Sequence, residues 1–370
     1  MESLDLTRCF GGTYAGRRVL VTGHTGFKGS WLSLWLKSMG AEVCGLALPP
    51  DTEPSHHRLL ALGNIEALID LCRLRAVEAA IERFRPEIVF HLAAQPLVRR
   101  SFREPVATVT TNVLGLVNLL EAVRRCEAVR AVVNVTTDKC YEVDDRADGY
   151  AESDRLGGYD PYSASKACAE IISSSWRRSF FAADGASDRP SVLLATARAG
   201  NVVGGGDWAE DRLVPDLVRN AVAGRPTLIR NPEAIRPWQH VLEPLSGYLL
   251  LGQRLLEGQK QFADAWNFGP EREGNLPVRT IVKGLAVHWP DVRMQADDGR
   301  HPHETQELRL SWDKAEGALG WRPVWSAPQM LKQTVLWYRS FYSNSKVLSR
   351  AQLEAYVEDA RRAGIAWAAH

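Results

Sequence analysis

The chain has 370 residues, 45% of them hydrophobic and 24% charged, a length that suits about two domains or one large sheet with a smaller lobe. Its 45 Lys+Arg against 44 Asp+Glu leave a net charge of +1, which excludes the strong field needed to hold nucleic acid or an anionic membrane. A small-molecule partner is the default, and no uninterrupted apolar run approaches the ~18 residues that span a bilayer.

In chain order, RVLVT at 18–22 is a short β-branched run. A glycine-spaced turn follows it, then an apolar-periodic stretch from Gly29 to Met39 that Gly40 can close, giving strand, turn and helix. A second run, EVCGLAL at 42–48, ends at Pro49–Pro50. Further runs at 67–71, 88–92, 129–135 and 191–198 alternate with helix-length segments at 75–84, 107–126 and 161–178. The runs are continuously apolar, so both faces are covered, and the fold class is α/β: a Rossmann-type doubly wound parallel sheet with ligands at the carboxyl ends of its strands.

Past residue 200 the pattern loosens into Gly-, Pro- and Trp-rich loops, GGGDW at 204–208 and IRPWQH at 235–240, with helix-like pieces at 213–223 and 242–256. This divides the chain into a sheet domain over 15–200 that also takes in later segments, a smaller C-terminal substrate-binding lobe mainly over 201–340, and a helical tail over 341–370. The six cysteines, Cys9, Cys44, Cys72, Cys126, Cys140 and Cys168, have no CxxC spacing and several lie in apolar runs, which suits reduced core thiols and no metal site. The N-terminal MESLDLTRCFGGTYAGRR has no apolar core of a secretory signal, so the expected location is cytoplasmic.

Gly23, Gly26 and Gly29 form a GxxGxxG turn between the first strand and first helix, where bare backbone can approach a pyrophosphate and the helix start offers free N–H donors. The same glycines could merely make a tight turn, but the strand-to-helix context favours a dinucleotide held by Gly23, Thr25, Gly26, Phe27, Lys28 and Gly29. Leu48 stands where an acid for the ribose diol is often found, with Asp51 three residues on, so NAD and NADP both stay open. Asp70 either meets an adenine edge or caps its own turn.

Tyr162 and Lys166 lie four residues apart, on one face of the 161–178 helix that begins at Pro161. A cation beside the phenol would lower its pKa from ~10 toward the operating pH, which a general base for a sugar hydroxyl requires. Thr136, Thr137, Asp138 and Lys139 follow the 129–135 run directly, at the carboxyl edge where substrate should lie. The alternative for Asp138 and Lys139 is a surface ion pair.

Together TGHTGFKG (22–29), HLAAQ (91–95), VTTDKCY (135–141), YSASK (162–166) and RAGNVVGGGDW (198–208) resemble the extended short-chain dehydrogenase/reductase superfamily, within it the nucleotide-sugar dehydratases that act on CDP-sugars. The resemblance covers roughly residues 15–340. It implies NAD as a bound cofactor, contacted also by Leu92, Ala93 and Ala94, and CDP-glucose as substrate. It implies that Tyr162 takes the O4 proton, that Thr137 holds O4, and that Asp138 donates to the leaving C6 hydroxyl. In the dTDP-glucose enzymes a glutamate stands where this chain has Lys139, so Lys139 is either the C5 base or an electrostatic stabiliser.

On the substrate side the resemblance points to Gln95, Asn201 and Arg236, with His303 and Glu304 as nucleotide contacts and Asn112 near the site. Guanidinium geometry suits the diphosphate, so Arg212 and Arg230 join Arg236, at least one of the three facing bulk solvent. The resemblance implies that helices 107–126 and 161–178 pair two subunits into a dimer or a tetramer; the sequence itself shows only that both carry wide apolar faces.

Overall fold

The computed structural model describes residues 4–63, 65–144, 148–181, 191–297, 299 and 307–369. Among these, twelve strands follow in chain order: β1 (Arg18–Thr22), β2 (Glu42–Ala47), β3 (Glu66–Leu68), β4 (Ile88–His91), β5 (Ala131–Val135), β6 (Leu193–Ala199), β7 (Asn201–Val203), β8 (Thr227–Ile229), β9 (Ile235–His240), β10 (Ala265–Phe268), β11 (Asn275–Pro277) and β12 (Met294–Ala296). Seven of them form one sheet in the order β10-β6-β5-β4-β1-β2-β3, every pair parallel. The order reverses between β4 and β1, which opens a crevice beyond their carboxyl ends.

Successive strand side chains enter opposite layers, which is why the runs are apolar throughout. Val19, Val21, Ile88, Phe90, Ala131 and Val133 join one buried cluster with the helices Phe27–Ser38 and Leu242–Leu256. Leu20, Val89, Val132 and Leu194 point the other way, into a second cluster under the helices Leu74–Phe84, Gly115–Arg125 and Pro161–Trp176. The Phe27–Ser38 helix is closed as expected, with Gly40 at φ +79° and its N–H bonded to the Lys37 carbonyl at 3.0 Å.

Several elements differ from the sequence reading. Of the 67–71 run only Ala67 and Leu68 lie in a strand, β3. The 107–126 helix starts at Pro105 and passes through a π-turn, Thr110–Leu114, before continuing to Arg125. By length and composition this helix is apolar enough to cross a membrane, with half of its apolar window buried in the protein.

The IRPWQH segment is a strand, β9, between β11 and β7. Pro237 is tolerated because β7 pairs with β9 only from Trp238 onward, so the missing N–H falls where β9 has a neighbour on one side. The tail forms the helix Ser349–Arg362 and docks on the first described residues: Phe10 stacks on Trp367 with ring centres 5.0 Å apart and planes within 8°.

Candidate functional site

The end of β1 is fixed by a chain of hydrogen bonds. Thr22 Oγ1 accepts the N–H groups of Leu92 and Ala93, each at 3.2 Å, and so turns its proton toward His91 Nδ1 at 2.7 Å. His91 is buried and its pKa is lowered to about 3, chiefly by burial and then by Lys166, so the ring is neutral. These contacts press the turn after β1 against the chain leaving β4.

Gly23 has φ +71°, and a Cβ there would lie 2.7 Å from the Ala93 nitrogen. A Cβ on Gly29 would collide with the Gly23 carbonyl. Gly26 starts the Phe27–Ser38 helix without a side-chain cap, and the first turn carries no acid, so its amides and the helix dipole face the crevice. A bare turn, a helix start and a floor of Leu92, Ala93 and Ala94 fit the diphosphate of a dinucleotide. Thr25 ties the turn to the end of β2 through a 2.9 Å bond to the Leu48 carbonyl.

Beyond β5, Thr137 caps a single 3₁₀ turn, Asp138–Cys140, and its hydroxyl lies 3.1 Å from Asp138 Oδ1. Asp138 is only 2% exposed, and its Oδ2 has no partner among the described residues. Burial raises its pKa; Lys139, Thr137, Arg236 and Lys28 oppose the shift. The carboxyl group is thus held above its usual pKa, and the surface ion-pair alternative falls away because the acid is buried.

The Pro161–Trp176 helix is started by Asp160, which accepts the Ser163 N–H at 2.9 Å, with Pro161 in the first position. It presents Tyr162 and Lys166 to the crevice. The expected lowering of the Tyr162 pKa is not found: burial pushes it up to about 12, the Thr137 hydroxyl and Arg212 oppose this, and Asp138 and Asp160 add to it. The Lys166 ammonium is instead held by the Val135 carbonyl at 3.1 Å, and burial lowers its own pKa to about 8. Lys28 is lowered to about 7, first by burial and then by Arg212 and Lys166, and sits 3.4 Å from the Tyr248 hydroxyl.

One cleft of about 830 Å³ is lined by every glycine-turn residue from Gly23 to Gly29 except His24, by Asp70, Leu92, Ala93, Ala94, Gln95, Thr136, Thr137, Asp138, Lys139, Tyr162 and Lys166, and by Asn201, Arg212, Arg230 and Arg236. His303 and Glu304 lie outside the described residues. Arg236 is buried, whereas Arg212, paired with Asp207 at 2.8 Å, and Arg230 are partly exposed to solvent. Asp70 lines the cleft and also accepts the Cys72 N–H at 2.9 Å, so it holds its own turn.

Gln95 spends its side-chain amide on Leu97 and Thr108, and Asn112, in the π-turn, joins the Gln95 backbone to Ser165. Thr136 gives its hydroxyl to Glu170. Glu170, one turn beyond Lys166, also accepts Thr196 at 2.7 Å and Arg198 at 2.9 Å. Burial alone would raise the Glu170 pKa; the Arg198 guanidinium, with Thr136 and Thr196, outweighs it and holds the group below its usual value. The sequence reading missed Glu170, although its spacing from Lys166 repeats that of Lys166 from Tyr162. The glycines 204–206 serve packing: a Cβ on Gly205 would enter the Trp337 ring, and one on Gly206, at φ +88°, would lie 2.5 Å from the His56 ring.

Comparison with known proteins agrees with this geometry. Residues 19–269 match the family described as NAD dependent epimerase/dehydratase. A CDP-glucose 4,6-dehydratase of Salmonella typhimurium is 46% identical over 354 residues, covering 94% of this chain and 98% of that protein. A dTDP-glucose 4,6-dehydratase of Haemophilus influenzae is 27% identical, covering 86% and 97%. Among solved structures, a dTDP-glucose 4,6-dehydratase from Streptomyces venezuelae with NAD bound superposes with a TM-score of 0.72 at 25% identity, covering 87% of this chain and 97% of that one. A UDP-glucose 4-epimerase of Thermus thermophilus in complex with NAD gives 0.73 at 26%, covering 87% and 99%.

Proposed function

Because the chain belongs to the NAD dependent epimerase/dehydratase family, we propose that it converts CDP-glucose to CDP-4-keto-6-deoxyglucose and water in deoxysugar biosynthesis. The observation that carries the dehydratase reading is the buried Asp138 carboxyl, with a raised pKa and an unpartnered oxygen, beside Thr137 and Lys139 in the same cleft as Tyr162. An epimerase needs the hydroxyl, phenol and amine set only; loss of water needs a further acid and base. The CDP preference rests on the 46% identity to the Salmonella enzyme.

NAD is the cofactor; held at the Gly23–Gly29 turn, it would supply the hydride acceptor for C4 of the sugar and the hydride donor for C6. Tyr162 takes the O4 proton as its phenolate, a form that burial alone disfavours and the cationic ring of the bound cofactor would favour, and the Thr137 hydroxyl holds O4. With C4 a ketone, the C5–H is acidic: Lys139 assists its removal while Asp138 gives its proton to the C6 hydroxyl, which leaves as water. The C5 proton returns to C5 as the hydride reaches C6, and the O4 proton taken by Tyr162 replaces the one Asp138 gave, so both groups end the turnover as they began. Lys166 holds the cofactor's ribose edge. Arg212, Arg230 and Arg236 face the sugar diphosphate, with Asn201 beside it, and Asp70 closes the adenine end. Residues 15–200 thus serve mainly the cofactor, 201–340 mainly the nucleotide sugar.

The subunits pair through the helices Pro105–Arg125 and Pro161–Trp176. Val106, Val109, Leu114 and Ile171 supply exposed apolar surface on them, Val106 being 78% exposed. Six unpaired cysteines agree with a reducing, cytoplasmic setting.

The deciding experiment incubates the protein with CDP-glucose and, separately, with dTDP-glucose, UDP-glucose and GDP-mannose, following the alkali-induced absorbance of a 4-keto-6-deoxy sugar. Product from CDP-glucose with no net consumption of NAD is expected. Product from another nucleotide sugar alone overturns the CDP assignment, and a 4-epimer without water loss overturns the dehydratase reading.

A further inference from the structure

We infer that the C-terminal helix, Ser349–Arg362, is wired to the cofactor end of the cleft through His56, a positioning residue for the first turn of the Phe27–Ser38 helix. Four hydrogen bonds carry the connection. Trp337 Nε1 lies 2.9 Å from Ser349 Oγ, Ser349 Oγ 2.7 Å from His56 Nε2, His56 Nδ1 2.8 Å from Ser30 Oγ, and Ser30 Oγ 2.9 Å from the Phe27 carbonyl.

One direction uses every donor. An indole N–H only donates, so Ser349 accepts from Trp337, and its own proton is used when it points to His56 Nε2. A neutral imidazole that accepts at Nε2 carries its proton on Nδ1, which donates to Ser30; Ser30 then donates to the Phe27 carbonyl. Trp337, Ser349, His56 and Ser30 are all buried. In the opposite tautomer Ser349 accepts twice and its buried hydroxyl proton has no acceptor within the chain, which favours the first arrangement.

His56 also touches the cleft directly. It lines the cavity, as does Gly206, which packs against its ring too closely to admit a Cβ. The two serines anchor opposite things. Ser30 sits in the turn whose amides face the crevice, whereas Ser349 lies outside the cleft, at the start of an element separated from β1 by more than 300 residues of chain. A hydroxyl remote from any ligand thereby sets the aim of the amides that meet the diphosphate.

This inference rests on the Phe27–Ser38 helix being the one that receives NAD. The test titrates NAD into the full-length protein freed of nucleotide, by calorimetry or tryptophan quenching, for the wild type and for Ser349→Ala, Ser349→Thr, His56→Asn and His56→Gln. Ser349→Ala is expected to weaken NAD binding about three- to tenfold, the effect of one lost hydrogen bond, with Ser349→Thr restoring it and the KM for CDP-glucose moving less than the NAD affinity. His56→Asn keeps a donor for Ser30 and should bind NAD more tightly than His56→Gln, which keeps only the Ser349 side.

An unchanged NAD affinity in Ser349→Ala overturns the inference, even if the melting temperature falls. Should that variant not fold, equal affinities in the two His56 variants overturn it instead. A wild-type protein that binds no NAD removes the cofactor reading and this inference together, and is distinguished by failing before any variant is compared.

Discussion

Tyr162 shows what a spacing can and cannot tell. The four-residue interval to Lys166 correctly places both side chains in one cleft, but the interval says nothing of burial, and burial decides the phenol's pKa. Tyr162→Phe should lower kcat about 10²–10⁴-fold and leave NAD binding intact, measured by titration beside steady-state rates. Asp138 was legible as a candidate from its place after an apolar run. Its orphaned oxygen was not, because that depends on which groups the fold brings near. Asp138 must be protonated to give its proton, so turnover should fall as the pH rises through its raised pKa. Lys166, lowered to about 8, loses its charge at higher pH and produces a second fall. In Asp138→Asn, kcat should drop at least about 100-fold, and the residual rate should keep only the later fall. A C5 deuterium-exchange assay checks that C4 oxidation survives in that variant.

At the level of elements, the long apolar strands and their helices were readable because a parallel sheet covered on both sides needs continuous apolar runs. The three-residue strands β7, β8, β11 and β12 were not: a period of two cannot be recognised in three residues. Glu170 belongs here, since it holds the Pro161–Trp176 helix to β5 through Thr136 and to β6 through Thr196 and Arg198. Both members of the Glu170–Arg198 pair are 3% exposed in their side chains, so removing one leaves an uncompensated buried charge. Arg198→Met should cost about 3–5 kcal/mol of stability in a denaturant melt, and Glu170→Gln should lower activity by loosening Thr136 and Lys166 rather than by touching substrate.

Across the whole molecule, the sequence revealed which two helices have wide apolar faces but not how much of each face the chain itself covers. Ile171 is left 57% exposed on one and Val106 more so on the other. Val106→Glu combined with Ile171→Glu should convert the protein to monomers in light scattering while far-UV circular dichroism is unchanged. The contact between Phe10 and Trp367 has a consequence in time. Phe10 and Tyr14 are shielded in the finished protein, and the ring stacked on Phe10 comes from the last turn of chain. At about 5–20 residues per second on the ribosome, the wait between the two is roughly 20–70 s. Throughout that interval Phe10 has Tyr14 and Trp35 to lie against but not the ring that stacks on it, so its packing stays incomplete until Trp367 arrives. A message truncated before Trp367 would leave that one face of Phe10 without its stacked ring for good.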